Sequence, residues 1–586
     1  MMPNTLDGSF GRMLRGGLAL AAASLAGCSN GDGITPPPKI SDNSPTRVSL
    51  NVFGVQTALG SGGVTFANAG RYAVMPQFAA TQDFATGTQR ATVPDYPFTI
   101  GGLGQVTARI EAAAQPAARV SGAVADFHMR LRNIERDEAP RAMAYMASLR
   151  AAPPVSLNVQ AQVAANNRDF KVLSSLSAST YATVTARLLY TGSNILLYVD
   201  TQAPTSGGFS DAEYEAFGRQ FDTDLFPIDV NAFGTTSDID ANGKTFVLFT
   251  PVVNRLTLSS GQCGSYVAGF FNGADLSGNT NANRAEIFYS SVPGEPAGGS
   301  SCNALGANTV RTTAPATFIH ELQHMISYNQ HVLVRNASTE DIWLNEGLSH
   351  IAEELGGKLY EQRYPCPNLP PCPPAGRASS AQIFPDSAQG FLPPNFGNAY
   401  DFFSSRLDFS LTSPTGFGSI EERGVAWLFL RWFADQKGEA RLRQLVQTRN
   451  IGTANIEAVS GGETFRALYA DFLVATLLDD FPGVAAGQIA TRHQFTSRNL
   501  RAIYARLNLV ARQSYPTPYP LDVTDLTPEN VLTPASVLVS REMKPGSLDL
   551  FQFTSTTPNA GLAFKPATGT FLATLNAQVT VVRLPN

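Results

Sequence analysis

His320-Glu321-Leu322-Gln323-His324, with Trp343-Leu344-Asn345-Glu346-Gly347-Leu348-Ser349-His350 after it, is the stretch on which the reading of this chain turns. The two histidines of the first segment are four apart. On a helix this sets both imidazoles on one face, one turn apart. Imidazoles so placed can grip one Zn2+, with Glu321 directed at the water it holds. The helix is expected over residues 316–329. Pro315 suits its first turn, and Phe318, Leu322, Met325 and Ile326 form an apolar stripe that buries it beside the histidine pair. The chain has 6 histidines in 586 residues, so chance would supply roughly 0.003 such motifs. The competing reading is an exposed helix with two unrelated histidines.

The second segment reads as another helix. Ser338 can cap it, with Asp341 three residues on. Leu344, Leu348, Ile351 and Leu355 form its buried stripe, and Gly356-Gly357 ends it. Glu346, His350 and Glu353 share the opposite face. If the two helices pack antiparallel, Glu346 faces the histidines. A third histidine six residues after the second, as in metzincins, is the other way to complete such a site. It fails here: position 327 is Ser, position 330 is Gln, and His331 is one residue out of register.

His-Glu-x-x-His followed by Asn-Glu-Gly resembles the gluzincin pattern of thermolysin-like and aminopeptidase-like enzymes. The wording of the two segments most resembles the hyicolysin family of neutral zinc metallopeptidases, over about residues 185 to 480. The resemblance implies His320, His324 and Glu346 as ligands of one Zn2+ per chain, with Glu321 as the catalytic base. Three protein ligands leave a position for water, whose pKa Zn2+ lowers to about 7. Glu321 would take its proton and pass it to the leaving amine. Thermolysin-like enzymes carry an Asp four residues after the ligand Glu, and here that place is His350. His350 either assists the transition state or sits at the cleft rim. A further donor should stabilise the oxyanion. Tyr400, in an irregular stretch after the metal helices, is the candidate; Tyr469, among Phe465, Leu468 and Phe472, reads as core. Gluzincin substrates lie along an edge strand as an added strand. Arg284-Ala285-Glu286-Ile287-Phe288-Tyr289 holds that place in chain order, unless it is an ordinary core strand.

The rest of the chain sets the context. Its length implies several domains. Apolar residues at 43% and charged residues at 15% suit a folded, loop-rich protein. A net charge of −5 gives no basic footprint, which excludes nucleic acid as an expected partner. Arg12 and Arg15 precede an apolar run from Gly16 to Ala26, too short to span a bilayer permanently. Leu25-Ala26-Gly27-Cys28 resembles a bacterial lipoprotein signal, which implies cleavage after residue 27 and a lipid on Cys28. An ordinary signal peptide is the alternative. Residues 28–47, with Pro36-Pro37-Pro38, have tether composition, and Ser29 favours the outer membrane by the same resemblance. Cys263, Cys302, Cys366 and Cys372 suggest two disulfides between nearest neighbours.

Residues 48–155 read as a β-rich N-terminal region, then helical stretches, or as a removable pro-region. Residues 156–510 would be the peptidase unit and 511–586 a C-terminal β domain. Leu188–Tyr190 and Ile195–Val199 read as paired strands. Ser210 and Glu213 form a capping box ahead of Tyr214, Phe217, Phe221 and Leu225 at helical spacing. Thr245–Phe249 and Ala285–Tyr289 read as strands. Asp238-Ile239-Asp240-Ala241-Asn242-Gly243 resembles the start of a calcium loop, with Asp238, Asp240 and Asn242 as ligands. Position twelve of an EF-hand would be Phe249, so it is no EF-hand, and a polar turn explains the segment equally well.

The expectation is an α+β multidomain protein. Its gluzincin-like zinc unit has a β-rich upper and an α-helical lower half, flanked by small β domains. Its function would be hydrolysis of internal peptide bonds in proteins or peptides outside the cytoplasm. One rival is a surface lipoprotein whose zinc is structural. Against it stands Glu321, an acid a structural site has no use for. The other is an aminopeptidase, but no Gly-x-Met-Glu-Asn segment stands between residues 250 and 319.

Overall fold

A computed structural model describes residues 46–60, 62–81, 93–103, 109–111, 122–151, 166–256, 266–297, 302–363, 390–412, 418–523, 526, 531–532 and 538–586. The expected signal segment, Cys28 and all but the last two residues of the expected tether lie outside these. So do Cys263, Cys366 and Cys372; Cys302 is disulfide-bonded. Among the described residues no helix is long and apolar enough to cross a membrane.

Six strands come first: β1 (Thr46–Val48), β2 (Val55–Leu59), β3 (Val64–Phe66), β4 (Gly70–Phe78), β5 (Tyr96–Gly102) and β6 (Arg109–Glu111). The long helix α1 (Gly122–Ala151) follows. Then come β7 (Asn167–Leu173), β8 (Tyr181–Thr191), β9 (Ile195–Asp200), α2 (Asp211–Gln220), α3 (Phe226–Phe233), β10 (Thr245–Phe249), α4 (Pro251–Asn254), β11 (Gly269–Phe271) and β12 (Ile287–Ser290). The helical half comprises α5 (Ala307–Tyr328), α6 (Ile342–Arg363), α7 (Pro393–Ser404), α8 (Ile420–Lys437), α9 (Ala440–Val446), α10 (Gly452–Ser460), α11 (Phe465–Leu478) and α12 (Leu500–Val510). Five strands close the chain: β13 (Val531–Leu532), β14 (Leu538–Met543), β15 (Phe551–Ser555), β16 (Gly561–Pro566) and β17 (Ala577–Leu584).

Phe246 to Phe249 is a continuous apolar run, which needs cover on both faces. It becomes β10, in the middle of a six-stranded sheet of order β11-β12-β10-β9-β8-β7. β10 runs parallel to β9 and β12, and β11 is the antiparallel edge strand on the β12 side. The expected hairpin is present as β8 and β9. Its turn is held by Asp222, whose carboxylate accepts from Ser193 N at 2.9 Å and Asn194 N at 2.6 Å. The capping box also forms: Ser210 N donates to Glu213 Oε2 at 2.8 Å. α5 lies against the sheet through Phe318, whose ring stacks on Phe221 at 4.3 Å and meets Phe288 at 5.6 Å. α6 packs against α5 on one side and α8 on the other. Gly347 permits the second approach, since a Cβ there would stand 2.8 Å from Leu430 Cδ1.

Both metal-motif helices run longer than expected. α5 begins at Ala307, and Pro315 lies inside it rather than in its first turn. α6 begins at Ile342, not near Ser338, and passes through Gly356-Gly357 to Arg363. Those glycines are packing sites, not terminators. A Cβ on Gly356 would meet Phe391 Cε1 at 2.7 Å, and one on Gly357 would meet Leu392 Cγ at 2.6 Å.

The two ends of the chain, expected as separate flanking β domains, are woven together. One sheet has the order β1-β3-β16-β5-β14-β6 and the other β13-β15-β4-β17-β2. β17 pairs antiparallel with β2 and with β4, from Ala577 opposite Phe78 to Leu584 opposite Arg71. Phe66, Phe78 and Phe98 from the first end share a core with Phe553 and Phe564 from the second. Each of these sheets takes strands from both ends, so neither sheet is complete without the other end of the chain. Thr46 and Arg47, expected in the tether, belong to β1.

Candidate metal centre

α5 and α6 bring His320, His324 and Glu346 to one point. His320 Nε2 and His324 Nε2 stand 3.1 Å apart. Glu346 places Oε2 3.4 Å from the first and Oε1 3.4 Å from the second. A tetrahedral zinc with bonds of about 2.0–2.1 Å needs ligand atoms about 3.3–3.4 Å apart. These separations are close to the edges of such a site, with one carboxylate oxygen facing each imidazole. All three residues, and Glu321, are 0% exposed. Neither Glu346 oxygen has a hydrogen-bond partner among the described residues, and a buried carboxylate left so is costly unless a cation completes it.

The outer nitrogens of both rings are held. Glu353 accepts from His320 Nδ1 at 2.7 Å and from His350 Nδ1 at 2.9 Å. Ser349 Oγ donates to Gln323 Oε1 at 2.7 Å and stands 3.1 Å from His324 Nδ1, free to accept from it. With both Nδ1 atoms donating, each Nε2 faces the centre: that of the neutral His324 ring has a free lone pair, and that of His320 gains one when a metal displaces its proton. Sequence reasoning placed Glu353 on the face shared by Glu346 and His350 but gave it no role. The seven-residue step from Glu346 on one helix is the signal that could have assigned it.

Electrostatics agree with a cation-seeking site. Burial and the Arg132 charge hold His324 down to about 3, so its ring is neutral. Burial also opposes charge on His320, but Glu346 and Glu353 outweigh it and raise the ring to about 9. Burial works against a charged Glu353 as well, yet His350 and His320 bring it to about 2. Glu321, by contrast, is pushed up to about 7, chiefly by burial.

Glu321 faces the sheet edge. Phe271 N of β11 donates to its Oε2 at 3.0 Å, while Oε1 has no partner among the described residues. Arg132 Nη2 of α1 lies 3.8 Å from the same Oε2 and 3.1 Å from Glu135 Oε1. α1 lies along this edge: Phe127 meets Phe270 edge-on at 5.4 Å, and Ser277 Oγ donates to Glu138 Oε2 at 2.6 Å. Neither Arg132 nor α1 was assigned a place here from sequence, because their approach depends on contacts far along the chain.

Other expected site residues are placed as follows. His350 lies beside the centre, its ring 5.0 Å from that of His320, with Nε2 unpartnered among the described residues. Tyr400 does not reach it. It lies within α7, packs against Tyr504 and Tyr515, and its hydroxyl is tied to Thr517 Oγ1 at 2.8 Å and Thr517 N at 2.9 Å. Tyr469 is core, donating to Gly546 O at 2.9 Å. The segment Arg284–Tyr289 is not the edge: its strand begins at Ile287 and runs between β10 and β11. β11 is the edge, and too short to announce itself in sequence. Asp238 and Asp240 form a second cluster with Glu286, away from the centre.

No family model matches the chain. Over 171 residues it is 29% identical to Neutral metalloprotease ShpI of Staphylococcus hyicus, covering 29% of this chain and 36% of that protein. The match thus spans about a third of the relative's length. It supports a metalloprotease relationship for this chain.

Proposed function

We propose that this chain is a zinc-dependent endopeptidase of gluzincin type, exported as a lipoprotein anchored through Cys28 at the outer membrane. Its substrates would be extracytoplasmic proteins or peptides. The observation that carries the catalytic part is the convergence of His320, His324 and Glu346, with Glu321 beside them on the edge of β11. The export part rests on residues 12–29 of the sequence alone.

A zinc ion held by those three residues would supply Lewis acidity and a water of lowered pKa. Glu321, near neutrality in its buried setting, is suited to accept a proton and return it to the departing amine. Glu353 and Ser349 fix the imidazole tautomers. The edge of β11 offers a backbone to which an extended peptide can add as a strand. That edge is covered by α1, and the four central residues are fully buried. In this reading α1 must shift to admit substrate, and Arg132 is the residue that leaves Glu321 when it does.

Casein digestion by the chain without residues 1–28 tests the reading, with 1,10-phenanthroline and with zinc restored. Internal cuts that vanish with the chelator and return with zinc are expected. Release of single N-terminal residues would instead favour an aminopeptidase. No cleavage by zinc-loaded protein, even after limited proteolysis to free α1, would favour a binding lipoprotein with structural zinc.

A further inference from the structure

The loop that leads into β10 has its own internal bonds. Asn242 Nδ2 donates to Asp240 Oδ2 at 2.8 Å, and Gly243 N donates to Asp238 Oδ1 at 3.0 Å. Such bonds belong to any polar turn. The telling residue is Glu286, which lies outside the loop and just ahead of β12. It is 1% exposed. Its Oε1 accepts from Ser237 Oγ at 2.6 Å and Ile239 N at 3.0 Å. Its Oε2 is buried and has no partner among the described residues. Carboxylate oxygens of Asp238, Asp240 and Glu286 lie within 4.8 Å of one another.

Three carboxylates gathered this closely repel one another unless a positive charge joins them. The neighbouring cations do not fill that place. Lys244 Nζ donates instead to Gly192 O and to Ser193 O. The Arg168 guanidinium lies on the Phe246 ring, 4.2 Å from its centre. It acts on Asp240 at a distance, and no ion pair joins the two among the described residues. Burial raises the Glu286 carboxyl to about 7 and the Asp240 carboxyl to about 6, which shows how poorly their charge is compensated.

We propose that Asp238, Asp240 and Glu286 bind one calcium ion, which ties the loop to the start of β12. The donors are all oxygen and come from a loop and a strand lead-in, a combination suited to a hard cation of flexible coordination. Zinc would prefer the nitrogen donors of the other centre. Phe246 N donates to Glu286 O at 2.8 Å, so the ion clamps the entry to both β10 and β12. β12 carries β11 and hence the edge beside Glu321. The ion's role is to hold that sheet, not to take part in chemistry, and the inference stands whether or not the chain is a peptidase.

The test is calcium titration of the zinc-loaded chain without residues 1–28, with Glu321→Gln to prevent self-digestion. Calorimetry and thermal unfolding are read together. One calcium per chain is expected, with saturation below about 10 mM and a Tm rise of about 2–4 °C that magnesium does not match. Glu286→Gln and Asp238→Asn should each weaken binding at least about tenfold and remove the Tm rise. Asp238 is exposed, so its variant keeps the test decisive if Glu286→Gln fails to fold. Absence of calcium binding, or unchanged affinity in the variant that folds, overturns the proposal.

Discussion

Two candidate metal-binding clusters among the described residues differ in donor chemistry, scaffold and cover. At the first, two imidazoles and one carboxylate project from packed helices, fully buried, with their outer atoms held by Glu353 and Ser349. At the second, three carboxylates come from a loop and a strand lead-in, and Asp238 remains exposed. Rigid nitrogen-bearing helices suit a small tetrahedral ion, whereas adaptable oxygens suit a larger one. Charge alone does not separate the two; the donor atoms and their support do.

The largest expected break in that contrast is Glu346→Gln. It replaces one of three ligands by a weak one, so zinc should fall from near one per chain to near zero and cleavage to background, with calcium binding unchanged. Elemental analysis and calorimetry on the same sample decide this. Retained zinc would remove Glu346 from the ligand set. Glu353→Gln sharpens the comparison one layer out. It keeps the shape but weakens the hold on His320 Nδ1, so zinc affinity should fall about 10–100-fold, as measured by competition with a chelator. An unchanged affinity would mean that Glu353 is only a packing residue.

How much of this was legible in the sequence depends on the range of the interactions involved. The His-x-x-x-His step and the stripe through Phe318 and Leu322 are local, and α5 follows from them. Pro315 and Gly356-Gly357 were misread as helix ends. Local propensity favours termination there, but packing against the sheet, Phe391 and Leu392 overrides it. Glu346 was readable as facing the histidines; Glu353 was readable only as sharing that face. The pairing of β4 with β17, the identity of β11 as edge and the approach of Arg132 to Glu321 all join distant segments. Single-sequence periodicity carries no information on these. The pairing also bears on residues 48–155, since they supply strands to both terminal sheets. Removing β2, β4 and β5 would strip both terminal sheets of partners, whereas α1 belongs to neither sheet.

α1 therefore offers a further contrast, between a covered centre and an accessible one. The double substitution Arg132→Met with Glu135→Gln removes a buried charge pair together and loosens the hold on Glu321. Initial rates of casein cleavage should rise several-fold. A fall at unchanged zinc content would place Arg132 among the groups that assist the reaction instead of among those that cover it.

The smallest expected effect concerns pH. The Glu286 carboxyl titrates near 7 in the folded chain without calcium, above its ordinary value, because burial disfavours its charge. The folded state therefore holds the proton more tightly than the unfolded state. Stability falls as pH rises from about 4.5 towards 7, by on the order of 1–3 kcal/mol. The groups facing Glu286 are Asp238 and Asp240, with Arg168 of β7 acting on Asp240. Calcium should flatten the fall by stabilising the charged form, and Glu286→Gln should make it shallower, leaving the part due to other buried carboxyls such as Asp240. Tm followed from pH 4.5 to 7.5, with and without calcium, in both proteins gives the comparison; identical profiles would contradict it.

The central claim is that His320, His324 and Glu346 hold a catalytic zinc and Glu321 moves the proton. Its most direct test pairs zinc content with casein cleavage in the wild-type chain and in Glu321→Gln. The account predicts close to one zinc in both and cleavage about 10²–10⁴-fold lower in the variant. Folded wild-type protein that binds no zinc, or a zinc-loaded Glu321→Gln variant that cleaves at the wild-type rate, would contradict it.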